Sequence, residues 1–417
     1  MDAFSYPAPG SPEELVAWAR VQARMVPLFQ TLTTNARQPQ TVLVVPSLSL
    51  DARELSKVKG VWHYEERQLV NLMLLRQPNT RVIYVTSAPI DPVVVDYYLA
   101  MLPGVPASHA RRRLVLLACN DSSDQPLTKK ILDRPRLMAR IRQEIPDPST
   151  AHIVCFNSTA LERTLAVRLD LPLHATDPAL NDLGTKSGSR EVFRAAGVKV
   201  PYGFERLGNH VDMALALARI KKHDPHARRA VVKLNDGFSG EGNALFRFED
   251  LDAAATETEL ARKIYDRLPT SLRFEAPKET WDGFLEKYEE MKGVAEAFVE
   301  GDIKQSPSVQ CRVNAIGMPQ VISTHDQVLG GASGQVFIGC RFPAADTYRA
   351  EIAEAGAHVA AVMSERGVVG RFGIDFVSVQ QSDGAWDHYA IETNLRKGGT
   401  THPFLTLKFL TDGTYDS

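Results

Sequence analysis

The chain has 417 residues, 44% of them hydrophobic and 24% charged, with a formal net charge of −2. At about 150 residues per domain, that length predicts two or three domains with cores of their own and excludes wholesale disorder. The balanced charge excludes a general attraction to nucleic acid or an anionic membrane, and 27 glycines and 25 prolines are too few for a collagen-like chain.

Residues 1–10 read as a draped arm without the basic stretch and apolar run of a signal peptide. Ser11-Pro12-Glu13-Glu14 then opens a helix, with a hydroxyl cap, proline at the first position and early acids. Four short apolar runs at 41–46, 81–86, 113–118 and 151–156 read as strands covered on both faces. Helical patterns at 65–76 and 127–144 lie between them. This alternation predicts a doubly wound, mostly parallel α/β sheet, a Rossmann-like domain, over about the first 180 residues. After the first strand the chain reads Pro46-Ser47-Leu48-Ser49, not G-x-G-x-x-G, so the domain is expected to be a scaffold without its own dinucleotide site.

The character changes after Asp182. Helices are predicted over 186–196 and 211–222, and the polar stretch 221–229 leads to a strand–loop–strand unit over 230–248. Helices near 255–267 and 278–291 follow, then strands near 294–299, 307–315 and 319–324. A long helix near 346–365 and strands at 371–379 and 386–394 complete an α+β second half.

The last two strands flank Ser382-Asp383-Gly384-Ala385, and Asp-Gly favours the centre of a two-residue type I′ turn. Counting outward from that turn sets Asp375 opposite Glu392, with Asn394, Arg371 and Arg396 on the same face and Ile374, Phe376, Tyr389 and Ile391 on the core face. Opposed like charges destabilise a sheet unless something positive lies between them. Two acids and an amide suit Mg²⁺, a hard cation, and flanking arginines suit phosphate or carboxylate. The same residues also fit a solvated face on which the arginines pair the acids.

Lys233 ends a strand and precedes Gly237, Gly240 and Gly242, whose backbone N–H groups can approach phosphates closely, although such loops are often only turns. Residues 295–302 read as a strand ending in a turn, with Glu296, Phe298 and Val299 on a main chain able to meet an adenine edge. Residues 396–403 hold two glycines and two hydroxyls whose main-chain donors suit a carboxylate or phosphate; the plainer reading is a loop ended by Pro403. Four scattered cysteines (Cys119, Cys155, Cys311, Cys340) have no C-x-x-C spacing, which suggests reduced thiols and a cytoplasmic setting. No run approaches 18 apolar residues.

The order of these pieces resembles the ATP-grasp superfamily over about 186–410. The resemblance implies that Lys186, Lys233 and the loop residues Gly237, Ser239, Gly240 and Gly242 bind ATP phosphates, and that Glu296 and the backbone near Val299 hold adenine. It implies Mg²⁺ on Asp375, Glu392 and Asn394, and a catalytic Arg396 helped by Arg371. The segments 46–76, 86–99, 181–193, 323–331, 339–344 and 394–404 are similar to the pheganomycin-type peptide ligases, which carry a Rossmann-like pre-ATP-grasp domain. That likeness implies residues 1–182 as the pre-ATP-grasp domain, 183–300 as the first part of the ATP-grasp fold with a lid at about 223–300, and 301–417 as the subdomain with the metal site. It implies amide formation through an acyl phosphate, from a small-molecule carboxylate and an amine or peptide acceptor, by a homodimer. Gln327, Arg341, Gly398 and Gly399, with His325 and Asp326, are expected on the substrate side. Chains of that branch are expected to continue past Asp416. Two other functions use the same ATP residues: a kinase that stops at a phosphorylated hydroxyl, and a non-catalytic ATP-binding protein.

Overall fold

The computed structural model describes residues 6–35, 37–49, 61, 63–237, 242–330 and 336–415. The first helix, Pro12–Gln22, starts where the sequence predicts, with the Ser11 hydroxyl accepting from the Glu14 N–H. Strands β1 (Gln40–Val45), β2 (Thr80–Thr86), β3 (Leu114–Ala118) and β4 (Ala151–Cys155) form a parallel sheet in the order β3-β2-β1-β4. Leu43, Ile83 and Ile153 pack into one core and Val42, Val82 and Tyr84 into another on the opposite face. Burial on both faces is why β1, β2 and β4 read as unbroken apolar runs; the edge strand β3, expected to be covered on both faces too, is only half-buried, with Leu116 exposed.

Two expected helices differ in detail. Residues 65–76 make one α-turn (His63–Arg67) and then a 3₁₀ helix (Gln68–Arg76). Residues 127–144 split into Leu127–Leu132 and Pro135–Gln143, because a proline costs an interior hydrogen bond but fits a first turn.

A second, antiparallel sheet holds β5 (Gly203–Leu207), β6 (Arg229–Leu234), β7 (Asn243–Arg247), β8 (Arg273–Phe274) and β9 (Gly293–Ala297), ordered β5-β9-β6-β7-β8. The helices His210–His223, Glu257–Ser271 and Trp281–Met291 carry Leu217, Ile264 and Phe284 into its core.

The third sheet contains β10 (Lys304–Gln305), β11 (Pro307–Val313), β12 (Pro319–Gly330), β13 (Val336–Arg341), β14 (Gly370–Gln380) and β15 (Trp386–Asn394). Across its width the order is β13-β12-β11-β14-β15, all antiparallel. Val309, Cys311, Phe372 and Ile374 face the helices Lys186–Ala195 and Arg349–Glu365 on the core side. By strand alternation, Ser308, Gln310, Gly373 and Asp375 face the other way.

The sequence did not mark β5, β8, β10, β13 or the last helix, Thr401–Thr411. Pro403 does not end that final segment but sits in the helix's first turn, where the N–H it lacks has no intrahelical partner anyway.

The β14–β15 turn also differs. Gln381 and Ala385 close it through a main-chain hydrogen bond of 2.8 Å, with Gly384 at φ +87°, so the connection is one residue longer than a type I′ turn. From there Gln380 pairs Trp386 and Phe376 pairs Ala390; a bulge between Asp375 and Phe376 then shifts the register, and Asp375 meets Glu392 as expected. The bulge corrects the expected core face. Phe376 and Ala390 are buried in the core, whereas Tyr389 meets the Lys199 ammonium 4.6 Å from its ring centroid and Ile391 lines the cleft.

Candidate active site

The polar face of the third sheet is the floor of a cleft of about 1210 Å³. Register builds the floor in rows. His325, Ser308, Asp375 and Glu392 are successive partners across β12, β11, β14 and β15. Ser323, Gln310, Gly373 and Asn394 form the next row. A Cβ at 373 would come within 2.6 Å of Gln310 Nε2, so glycine there lets the Gln310 side chain lie across the floor.

Asp375 Oδ1 accepts from Gln327 Nε2 at 3.0 Å, and its Oδ2 from Asn394 Nδ2 at 3.0 Å. Asn394 Nδ2 also donates to Glu392 Oε1 at 3.3 Å. Lys186, first residue of its helix, ion-pairs with Glu392. Burial and the facing Glu392 push Asp375 up to about 7. Burial also works to raise Glu392, but Lys186, Lys233 and Arg396 outweigh it and leave Glu392 lowered. A proton shared by this pair therefore rests on Asp375. Two opposed carboxylates and an amide oxygen form an all-oxygen donor set that fits Mg²⁺. Rotating the Asn394 amide would present that oxygen, which now accepts from Arg396 Nη2 at 3.1 Å.

The two lysines are mechanically linked. The Lys186 N–H donates to the carbonyl of Asn235, whose own Oδ1 accepts from the N–H and hydroxyl of Ser187 at 3.0 and 2.7 Å. Asn235 follows β6, the strand that carries Lys233. Lys233 ion-pairs with Glu296, 3% exposed, which also takes Arg190 Nη1 on its other oxygen at 2.8 Å. Both Glu296 oxygens are thus engaged, and this side chain orients Lys233 instead of presenting a free acceptor. Asn235 and Arg190 were not marked from sequence; only their nearness to the two lysines hints at them.

The Val299 carbonyl accepts from Lys304 Nζ at 3.2 Å, and the Phe298 ring beside it lies 3.8 Å from the Arg229 guanidinium. Gly237 and Gly242 line the cleft. Ser239 and Gly240 fall outside the described residues. Arg396 lines the cleft with its guanidinium 5.9 Å from the Phe156 ring, and Gly398 and Gly399 follow on the same wall.

Two expected residues are not there. Arg371 shares the face of Asp375 but lies a row beyond Gly373, opposite Arg312 and outside the cleft lining; burial and Arg312 lower it to about 10. Arg341 pairs with Asp326 in the β12–β13 register. Strand alternation turns both away from the floor, and Asp326 instead accepts from the Tyr348 hydroxyl at 2.6 Å and the Ala345 N–H at 3.0 Å. His325 and Gln327, on the opposite alternation, do line the cleft.

The first domain, expected as a scaffold without its own dinucleotide site, also contributes a wall of the cleft. Leu48, Tyr64, Arg67, Gln68 and Phe156 line the cleft. Lys397, next to Arg396, docks on that sheet by donating Nζ to the Cys155 carbonyl at 2.7 Å and its N–H to the Phe156 carbonyl at 3.2 Å. No helix among the described residues is long and apolar enough to cross a membrane.

The family model described as IQCH-like, ATP-grasp matches residues 178–275 and 270–417. The chain is 32% identical over 371 residues to the L-propargylglycine–L-glutamate ligase of Streptantibioticus cattleyicolor, covering 87% of this chain and 72% of that one. It is 24% identical to the IQ motif-containing protein H of Danio rerio, over 84% of this chain but only 37% of that protein. Among solved structures, the biotin carboxylase of Campylobacter jejuni superposes with a TM-score of 0.53 at 14% identity, covering 92% of this chain and 73% of that one. The biotin carboxylase domain of the Hydrogenobacter thermophilus 2-oxoglutarate carboxylase gives 0.51 at 14% identity, covering 91% and 71%. At such identities the likeness is one of fold.

Proposed function

The chain belongs to the IQCH-like ATP-grasp family, and from that premise we propose that it is an ATP-dependent carboxylate–amine ligase working through an acyl phosphate. The carrying observation is the opposed pair Asp375–Glu392 on a cleft floor ringed by Lys186, Lys233 and Arg396. A substrate carboxylate oxygen attacks the γ-phosphorus of ATP and ADP leaves. The amine then attacks the acyl carbon, the C–N bond forms, phosphate departs and the amine loses its proton. Such transfer rests on positioning and on neutralising phosphate charge. Lys186 and Lys233 hold phosphate oxygens, the 237–242 loop covers them, and the main chain near Val299 meets adenine. Arg396 stabilises the transferring group. Asp375, Glu392 and Asn394 would hold Mg²⁺, which when bound would supply further charge neutralisation.

The relative named for L-propargylglycine and L-glutamate supports amino acids or short peptides as the substrate class. The parallel sheet supports a Rossmann-like pre-ATP-grasp domain over residues 1–182, and the two antiparallel sheets support the division of the remainder at about residue 300. The four free cysteines fit a cytoplasmic setting. A homodimer also belongs to this reading.

The test is nucleotide product analysis by mass spectrometry, with Mg²⁺, ATP and a pool of amino acids and small peptides, with and without hydroxylamine. ADP together with a hydroxamate is expected. AMP, or ADP with a stable phosphorylated alcohol, would refute the ligase mechanism.

A further inference from the structure

We propose that Arg67 and the amino end of the helix Thr401–Thr411 bind a substrate carboxylate that does not itself react; the proposal rests on the ligase reading. Arg67 is exposed yet lines the cleft, with its guanidinium held 4.1 Å from the Tyr64 ring centroid. Among the described residues no carboxylate pairs with it. The acids lining the cleft are Glu296, Asp375 and Glu392, and the first and last are already paired with lysines. An anion near Arg67 therefore meets a cation that no described carboxylate already pairs.

Gly398, Gly399, Thr400 and His402 line the same cleft and lead into the eleven-residue helix. Thr400 makes no side-chain capping bond, the Thr401 N–H donates to the Gly398 carbonyl at 3.1 Å and Pro403 has no N–H, so His402 offers the first-turn N–H left for another acceptor. This helix runs beside the 3₁₀ helix that follows Arg67: Phe409 shares a core with Leu69 and Leu72, and Arg76 ion-pairs with Asp412 at 2.8 Å, so Arg67 and the amino end of Thr401–Thr411 lie at the same end of the pair; Arg67 also acts electrostatically on His402.

Two buried polar side chains at the foot of this helix point independently to a ligand. Gln310, 5% exposed, has no partner for Oε1, which accepts and so suits a substrate ammonium, whereas its Nε2, the atom that donates to a carboxylate, lies 3.9 Å from where a Cβ on Gly398 would stand. His325, 1% exposed, has no partner for Nδ1 and packs on Phe342, which packs on Phe404 of the helix. Both residues line the cleft. Unmet hydrogen bonds in buried groups are costly, and a bound polar group offsets that cost.

The reacting carboxylate belongs beside Arg396, so the second site takes another one. It is either the α-carboxylate of an amino acid acceptor or the second carboxylate of a dicarboxylic donor.

The experiment compares wild type, Arg67→Ala and Arg67→Lys, with ADP release and product mass as readouts. Donors are assayed with hydroxylamine as acceptor, and acceptors with the donor saturating, each beside its carboxamide analogue. A KM raised about 10-fold or more for the carboxylate but not for the carboxamide, and partly restored by lysine, is expected for one charged contact. The effect appearing only with acceptors assigns the acceptor's α-carboxylate; appearing in the hydroxylamine assay, it assigns the donor's. ADP release with neither KM altered overturns this site alone. No ADP release by wild type with any substrate overturns the ligase reading on which it rests.

Discussion

Asp375 and Glu392 are direct partners across β14 and β15, one step from a bulge that sets their register. Their difference lies in what touches them: Glu392 holds Lys186, whereas Asp375 is bonded by neutral groups, the amides of Gln327 and Asn394 and the Ser308 hydroxyl. Asp375→Asn should therefore abolish turnover while leaving metal-free stability unchanged or up to about 1–2 kcal/mol higher. Glu392→Gln should also abolish turnover but lower stability, because Lys186 loses its counter-charge. Calorimetric melting in a chelator, beside an ADP assay, separates the two. A large loss of stability in Asp375→Asn would mean the aspartate is structural.

Glu296 joins Lys233 and Arg190 in one buried cluster. Glu296→Gln leaves both cations without a formal counter-charge and should cost about 3–5 kcal/mol. The ATP requirement should rise in parallel, since Lys233 loses its anchor. Denaturant melts and ATP titrations check this; a stable variant with unaltered ATP affinity contradicts it.

Lys397 is the pin between the catalytic loop and the first sheet, and burial lowers its ammonium to about 8. Lys397→Met keeps the bulk and removes the bond. It should lower kcat about 10-fold or more while ATP affinity stays within about two-fold, because Arg396 shifts but the nucleotide lysines do not. Single-turnover ADP formation and ATP binding by calorimetry test this split.

His152 and His174 sit edge to face, with ring centroids 6.2 Å apart. Burial holds their values at about 4 and 3, with His174 lowered further by His152 and nearby cations. The unfolded chain binds these protons first, so stability is full above the ordinary value of 6.5 and falls as pH drops towards 4. Between pH 7 and pH 4.5, His174→Phe should flatten that decline by at most about 2–3 kcal/mol. Melting at pH 7 and pH 4.5 gives the difference; equal slopes in both proteins would falsify it.

Gly237 and Gly242 face each other at the neck of the β6–β7 loop, with the Leu234 N–H donating to the Gly242 carbonyl at 2.9 Å. Shortening residues 237–242 should raise the KM for ATP with little change in melting temperature. Unaltered ATP kinetics would remove the phosphate role.

Most elements were legible because their patterns are local. Burial on both faces wrote β1, β2 and β4 as unbroken apolar runs, and Ser11-Pro12 marked a helix start. The opposed acids were found through a turn rule that missed the loop length by one residue; the bulge beside Asp375 restored their pairing. The short strands β5, β8 and β10 escaped notice because they are held by partners remote in sequence rather than by their own composition.

By itself the sequence determined the parallel and antiparallel halves and the order of the candidate residues along the chain, whereas the Asp375–Glu392 pairing it predicted depends on a bulge it did not show. Tertiary structure alone decided which of them meet. Strand alternation turned Arg341 from the cleft while keeping Gln327 in it, the row spacing left Arg371 beside Arg312, and Arg190 was brought to Glu296 across 106 positions. It also made the first sheet a cleft wall, through Arg67 and the Lys397 pin. The reason is physical: hydrophobic periodicity records which face of an element is buried, but a polar side chain's partner is set by how separate elements pack, and no local pattern encodes that.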